Sequence, residues 1–176
     1  MIKIGTSQDV VHPDEARMFA AAAEAQRVTG APIFTHTTAG TLPLEQIRML
    51  RDAGADLTRV LIGHQDRRLM WEDHLAVVES GCSIAYDCIS KEQYQPDADR
   101  ITFLRRLVDA GHGERICLSG DLARRSYLTS YGGGPGLSYI LWRFVPWLQQ
   151  SGVAETAVHQ MLVDNPARLL TWTTAA

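Results

Sequence analysis

The chain has 176 residues, 45% of them apolar, and a formal net charge of −3, which is enough for one soluble domain with a sizeable core. Basic residues come only in pairs, Arg67-Arg68, Arg105-Arg106 and Arg124-Arg125, so nothing suggests a nucleic-acid surface. Three cysteines without CxxC spacing argue against a disulfide framework or a thiolate zinc site, and suit a reducing, cytoplasmic setting.

Ile2 to Thr6 reads as a strand, and His12-Pro13-Asp14-Glu15 as a helix start, because proline is tolerated in a first turn and acids favour it. The helix continues over Ala16 to Val28 and closes at Gly30. Pro32 to His36 is the next strand, followed by a small-residue loop and a second helix over Leu44 to Ala53, closed by Gly54. Val60-Leu61-Ile62 is a buried strand running into Gly63-His64-Gln65-Asp66. Strand alternation sends His64 and Asp66 to the face of Val60 and Ile62. A helix from about Met70 to Glu79 stops at Gly81, before a strand over Ser83 to Asp87 and a polar loop from Cys88 to Pro96. A fourth helix spans Ala98 to Ala110 and ends at Gly111, and Arg115 to Gly120 is the fifth strand, running into Asp121. A glycine-rich loop, Tyr131 to Gly136, leads to helices over Leu137 to Gln150 and Glu155 to about Leu170. The most apolar helical stretch, Leu137 to Leu148, is too short to span a bilayer and carries Arg143 and Pro146, so no membrane span is expected. No leader peptide is expected either, since the chain opens on a strand.

Strands alternating with glycine-closed helices imply a parallel sheet. Two architectures fit: a doubly wound open sheet, favoured by length, or part of a (β/α)₈ barrel, which typically needs about 250 residues. The strand ends favour the barrel, because nearly every one carries a potential ligand or proton-transfer group.

Taken in order, Ile2-Lys3-Ile4-Gly5-Thr6-Ser7, Phe34-Thr35-His36-Thr37, Ile62-Gly63-His64-Gln65-Asp66, Ala85-Tyr86-Asp87, Leu118-Ser119-Gly120-Asp121 and Asp164-Asn165-Pro166-Ala167-Arg168-Leu169-Leu170 resemble the phosphotriesterase family and its lactonase relatives in the amidohydrolase superfamily. The resemblance implies an α/β fold of the (β/α)₈ TIM-barrel type, incomplete, with about strands 4–8 and their helices present. It also implies a binuclear metal centre, usually zinc, bridged by a carboxylated lysine and a hydroxide. On that resemblance Lys3 matches the bridging lysine, His36 and His64 the histidines of the more exposed metal, and Asp121 the aspartate of the more buried one. Asp121 is then the proton acceptor, with Asp66 and Asp87 as a relay to solvent, and Cys88 and Tyr131 as substrate contacts. The chemistry agrees: neutral imidazoles suit zinc, and paired metals produce a nucleophile near neutral pH.

The chain departs from the family in lacking the His-x-His pair of the first strand, in Cys88 where relatives carry Arg or His, and in Gly120 where His or Asn is common. The implied substrate is a small lactone, ester or phosphotriester, with lactone or ester hydrolysis favoured by the Tyr131 to Gly136 loop. A second reading is a weak or inactive metal-binding fragment, and a third has another chain or a second copy supplying the missing strands. An open barrel exposes unpaired edges, so self-association is expected. The residue-level alternatives are a buried histidine bonded to a carbonyl, a solvated Lys3 and an Asp121 that caps a turn. Cys88 reads as an inert small apolar side chain in preference to a metal-site thiol, and His12, His74, His112 and His159 read as surface residues.

Overall fold

The computed structural model describes residues 1–171. Five strands, β1 (Ile2–Thr6), β2 (Ile33–Thr37), β3 (Val60–Ile62), β4 (Ser83–Tyr86) and β5 (Ile116–Leu118), pair in parallel in the order in which they occur along the chain. Helices α1 (Pro13–Thr29), α2 (Pro43–Asp52), α3 (Trp71–Glu79) and α4 (Asp97–Asp109) fill the crossovers. A doubly wound sheet reverses its strand order at a switch point, and this one does not. It is an arc of barrel wall, and among the described residues β1 and β5 each have one edge without a partner strand.

Alternation along each strand gives the sheet two different faces. Ile4, Ile33, Val60, Ile62, Ile84 and Ile116 belong to the large core shared with Phe19, Leu50, Val77 and Leu104 of the helices. Burying such a side chain contributes about 1.5–3 kcal/mol each. The opposite face is thin: Leu61, Ala85, Cys117 and Phe34 cluster with Leu169. This is the inner wall.

Helix ends follow the local chemistry. Glu15 accepts from the backbone N–H of His12 at 2.8 Å and also from Ser7 at 2.9 Å, which ties the start of α1 to the end of β1. Gly30 closes α1 at φ 69°, its N–H reaching the carbonyl of Gln26 at 2.7 Å. The last helices differ from the expected continuous runs. Wide π turns at Ile140–Phe144 and Gln160–Asp164 precede α5 (Val145–Gln150) and α7 (Asn165–Leu170), with α6 (Glu155–His159) between them. Each wide turn sits just ahead of a proline, Pro146 or Pro166, which has no N–H and clashes with the carbonyl four residues back. No helix among the described residues is long and apolar enough to cross a membrane.

Candidate active site

The inner wall becomes polar at the C-terminal ends of the strands. His36, His64, Asp87, Ser119 and Asp121 from these ends and Lys3, the second residue of β1, line one cavity of about 250 Å³. In a flat sheet, β1 and β5 lie four strand spacings of about 4.8 Å apart, roughly 19 Å in all. Here Lys3 of β1 and Asp121 beyond β5 share a pocket, so the curvature of the wall brings them together. A second cavity of about 370 Å³ shares Ser119 and Asp121 and extends past Leu118 to Tyr139 and Ile140, leaving room for a substrate beside the polar cluster.

His64 reaches this cavity by leaving the strand pattern. Its φ is 56°, an uncommon conformation for a residue with a side chain. Regular alternation would put it on the helix side with Ile62; the left-handed turn swings it inward. Gly63 makes the turn possible, since a Cβ there would lie 2.3 Å from the carbonyl oxygen of Thr35. The expectation that His64 and Asp66 share a face therefore fails: His64 lines the cavity, whereas Asp66 is fully buried against α4.

The hydrogen bonds define which imidazole nitrogens are free. His64 Nδ1 lies 2.8 Å from Asp87 Oδ1. A carboxylate only accepts, so Nδ1 carries the proton and the Nε2 lone pair is left for a ligand. Thr38 donates its hydroxyl to the carbonyl of Thr6 at 2.9 Å, so it accepts from His36 Nε2 at 3.3 Å. That leaves the lone pair of His36 on Nδ1. Burial, followed by the charges of His64 and Lys3, holds the His36 pKa below the usual histidine value and favours the neutral ring. The two rings meet edge to face at a centroid separation of 4.6 Å. Two imidazoles, each with one ring nitrogen engaged by a protein partner, beside a carboxylate and an amine are a donor set that fits zinc.

Lys3 donates to the carbonyl of Thr35 at 3.1 Å and lies 3.5 Å from the centre of the Phe34 ring. Desolvation lowers its pKa against the pull of Asp87 and Asp121. Asp121, with φ 44°, is held by Lys91, which donates both to its carboxylate and, at 2.8 Å, to its carbonyl. His64, Cys88 and Asp121 also place ligand atoms within 4.8 Å of one another. Cys88 is nevertheless buried, and burial with the nearby carboxylates pushes its thiol well above the ordinary value. Tyr131 lines neither cavity; it is exposed and stacked under Arg125 at 4.3 Å.

Three participants escaped the sequence reading. Arg100 is fully buried and bridges Asp66 at 2.9 Å and Asp97 at 2.8 Å. Asp66 in turn accepts from the backbone N–H groups of Asp87 at 3.2 Å and Cys88 at 2.9 Å, and thereby fixes the residue that orients His64. Lys91, only 4% exposed, was hidden in a loop read as merely polar. The third, His74, was expected on the surface and is fully buried. It shares the inward stripe of α3 with Val77 and Val78, three and four residues on, and that spacing was the available signal.

The sequence profile described as the phosphotriesterase family matches residues 1–170. The chain belongs to the phosphotriesterase family. It is 42% identical over 166 residues to the phosphotriesterase homology protein of Escherichia coli K12, which covers 94% of this chain and 56% of that protein. It is 36% identical over 170 residues to the N-acetyltaurine hydrolase of Dictyostelium discoideum, covering 90% and 46%. The crystal structure of a lactonase from Listeria monocytogenes superposes with a TM-score of 0.93 at 39% identity, covering 98% of this chain and 54% of that one. Its relatives thus include an N-acetyltaurine hydrolase and a lactonase, and the chain spans about half of their length. The expected partial barrel is the observed one.

Proposed function

We propose that this chain carries the C-terminal part of a zinc-dependent hydrolase that cleaves a lactone or ester bond, phosphotriesters being the secondary substrate class. The observation that carries the reading is the convergence of Lys3, His36, His64 and Asp121 on one cavity, with each imidazole hydrogen-bonded so that one lone pair is free. Those four residues hold the metal in this reading. Desolvation lowers the Lys3 pKa and so raises the share of neutral amine, the form that would take up carbon dioxide, releasing a proton, to become an anionic carbamate ligand. Bound zinc lowers the pKa of a coordinated water toward neutrality and polarises the oxygen of the scissile carbonyl or phosphoryl group.

The remaining steps belong to the protein. Asp121 accepts the proton of the attacking water, and Lys91, bonded to its carboxylate and its carbonyl, holds it in place. Asp87 holds the His64 ring, and Asp66 holds the backbone of Asp87; this chain of carboxylates is our assignment for the groups that take the proton onward. The neighbouring cavity, walled by Leu118, Tyr139 and Ile140, admits the apolar part of the substrate. Cys88, buried beside Asp87, and Tyr131, exposed on its loop, line neither cavity, and neither is assigned a substrate contact. A cytoplasmic setting agrees with three unpaired thiols.

The test is hydrolysis of a panel of lactones, aryl esters and phosphotriesters by zinc-loaded protein, beside Asp121→Asn. The reading expects lactone or ester turnover that a chelator abolishes and that Asp121→Asn lowers by about 10²–10⁴-fold, the usual worth of a general base. Zinc binding without turnover of any of them would instead favour the weak metal-binding fragment.

A further inference from the structure

His74 lines no part of the cavity, yet it is wired to the turn that delivers His64. Its Nδ1 lies 2.8 Å from the Tyr86 hydroxyl, and its Nε2 lies 3.1 Å from each of the carbonyl oxygens of Gln65 and Arg68. Carbonyls only accept, so Nε2 carries the proton and is shared between them. In a neutral ring Nδ1 is then the acceptor, and Tyr86 donates to it. Burial holds the His74 pKa below the ordinary histidine value, consistent with that neutral state. Both side chains are fully buried, and the Phe103 ring packs edge to face on His74 at 5.6 Å.

The two carbonyls bracket the turn Gln65–Arg67, which begins at the left-handed His64 and contains Asp66. The Gln65 side chain ties the turn to the Thr37 hydroxyl and the Gly63 carbonyl, each at 3.0 Å. On the helix side, the described contact that gathers the carbonyls at both ends of the turn is His74. Without its N–H, the Gln65 carbonyl keeps only the N–H of Arg68 at 3.2 Å and the Arg68 carbonyl only that of Met70 at 3.0 Å, so the turn loses the side chain that ties both carbonyls to α3 and can relax by moving His64 or Asp66.

We propose that His74 is a positioning residue: its Nε2–H clamps the two carbonyls of the 65–68 turn, with Tyr86 fixing the ring tautomer, and so holds His64 in its inward, left-handed pose. The step from that pose to metal affinity rests on the reading of His64 as a zinc ligand. The clamp itself does not.

The experiment uses full-length protein with ¹⁵N-labelled histidine, in wild type, His74→Leu, His74→Gln and Tyr86→Phe. Two-bond ¹H–¹⁵N spectra report ring tautomers without zinc, and chelator competition reports the zinc Kd. The clamp predicts a single Nε2–H tautomer for His74 and a single Nδ1–H tautomer for His64 in the wild type. In His74→Leu the His64 signal moves to tautomer averaging and zinc binds about 10–100-fold more weakly, the usual effect of losing a group that orients a ligand. The glutamine amide of His74→Gln reaches toward the same carbonyls and recovers the wild-type His64 pattern and most of the affinity. Tyr86→Phe loses the single His74 tautomer. An Nδ1–H tautomer at His74, or an unchanged His64 pattern in His74→Leu, would overturn the proposal. If His74→Leu does not fold, the His74 tautomers in wild type and Tyr86→Phe decide it alone. If the wild type binds no zinc while the tautomers behave as stated, the clamp stands and the ligand reading of His64 falls.

Discussion

Replacing Arg100 by methionine tests whether the charged layer behind the cavity is as tightly engineered as its geometry implies. The guanidinium is fully buried and donates to Asp66 at 2.9 Å and to Asp97 at 2.8 Å. Methionine fills most of the volume but leaves two buried carboxylates without their cation. Neither is wholly abandoned: Asp66 keeps the N–H groups of Asp87 and Cys88, and Asp97 keeps that of Ser90 and the Tyr139 hydroxyl. Breaking a buried pair from one side costs about 3–5 kcal/mol, which for a domain of this size lowers Tm by roughly 6–20 °C. Most of that loss is the exposed need of the carboxylates and not the net worth of the pair. Adding Asp66→Asn and Asp97→Asn to Arg100→Met should therefore recover stability, with a coupling of about 1–3 kcal/mol. Urea unfolding of the single, double and triple variants measures it. A loss below about 1 kcal/mol in Arg100→Met, or strict additivity across the cycle, refutes the reasoning.

Gly63→Ala should cost about 1–3 kcal/mol or more in the same assay, because the added Cβ meets the Thr35 carbonyl of the neighbouring strand at 2.3 Å; a neutral effect would show that the turn has slack. His74 is held neutral in the folded chain by burial, its pKa below that of the unfolded state. Its contribution to stability is complete above the unfolded value near 6.5 and is lost as pH falls through the folded value, at up to about 1.4 kcal/mol per pH unit. Subtracting the pH profile of His74→Gln from the wild type should isolate that acid limb, and identical slopes would contradict it. All three thiols are pushed upward by burial, Cys82 to about 11 and Cys117 to about 12. A chromogenic disulfide at pH 8 should find none in native protein within minutes and three in urea; one fast native thiol would show that a cysteine is accessible.

The strands and the first four helices were legible because each helix is closed by a glycine and each strand is an apolar run, two local signals that tertiary packing here reinforces. Their sequential pairing was not legible from periodicity, and it decides between barrel arc and doubly wound sheet. His36, His64 and Asp121 could be picked out as groups at strand ends, since that is where such folds gather chemistry, whereas Lys3, the second residue of β1, was legible only through the family resemblance. The inward swing of His64 could not, because one left-handed φ reverses the face that alternation assigns. Arg100 and Asp97 were not singled out from the sequence. Yet they share the α4 stripe with Ile101, Leu104 and Leu107, and charge on an apolar stripe is the mark of a buried pair. His74 belongs with them: the residue type suggested surface, and its spacing to Val77 and Val78 said otherwise.

Zinc content per folded chain is the most direct test of the central claim. Purified protein supplied with zinc and bicarbonate should retain zinc through gel filtration, and the His36→Ala/His64→Ala double variant, still folded by circular dichroism, should lose it. Equal zinc in both proteins, or none in the wild type, would contradict the assignment of these strand ends as a metal centre.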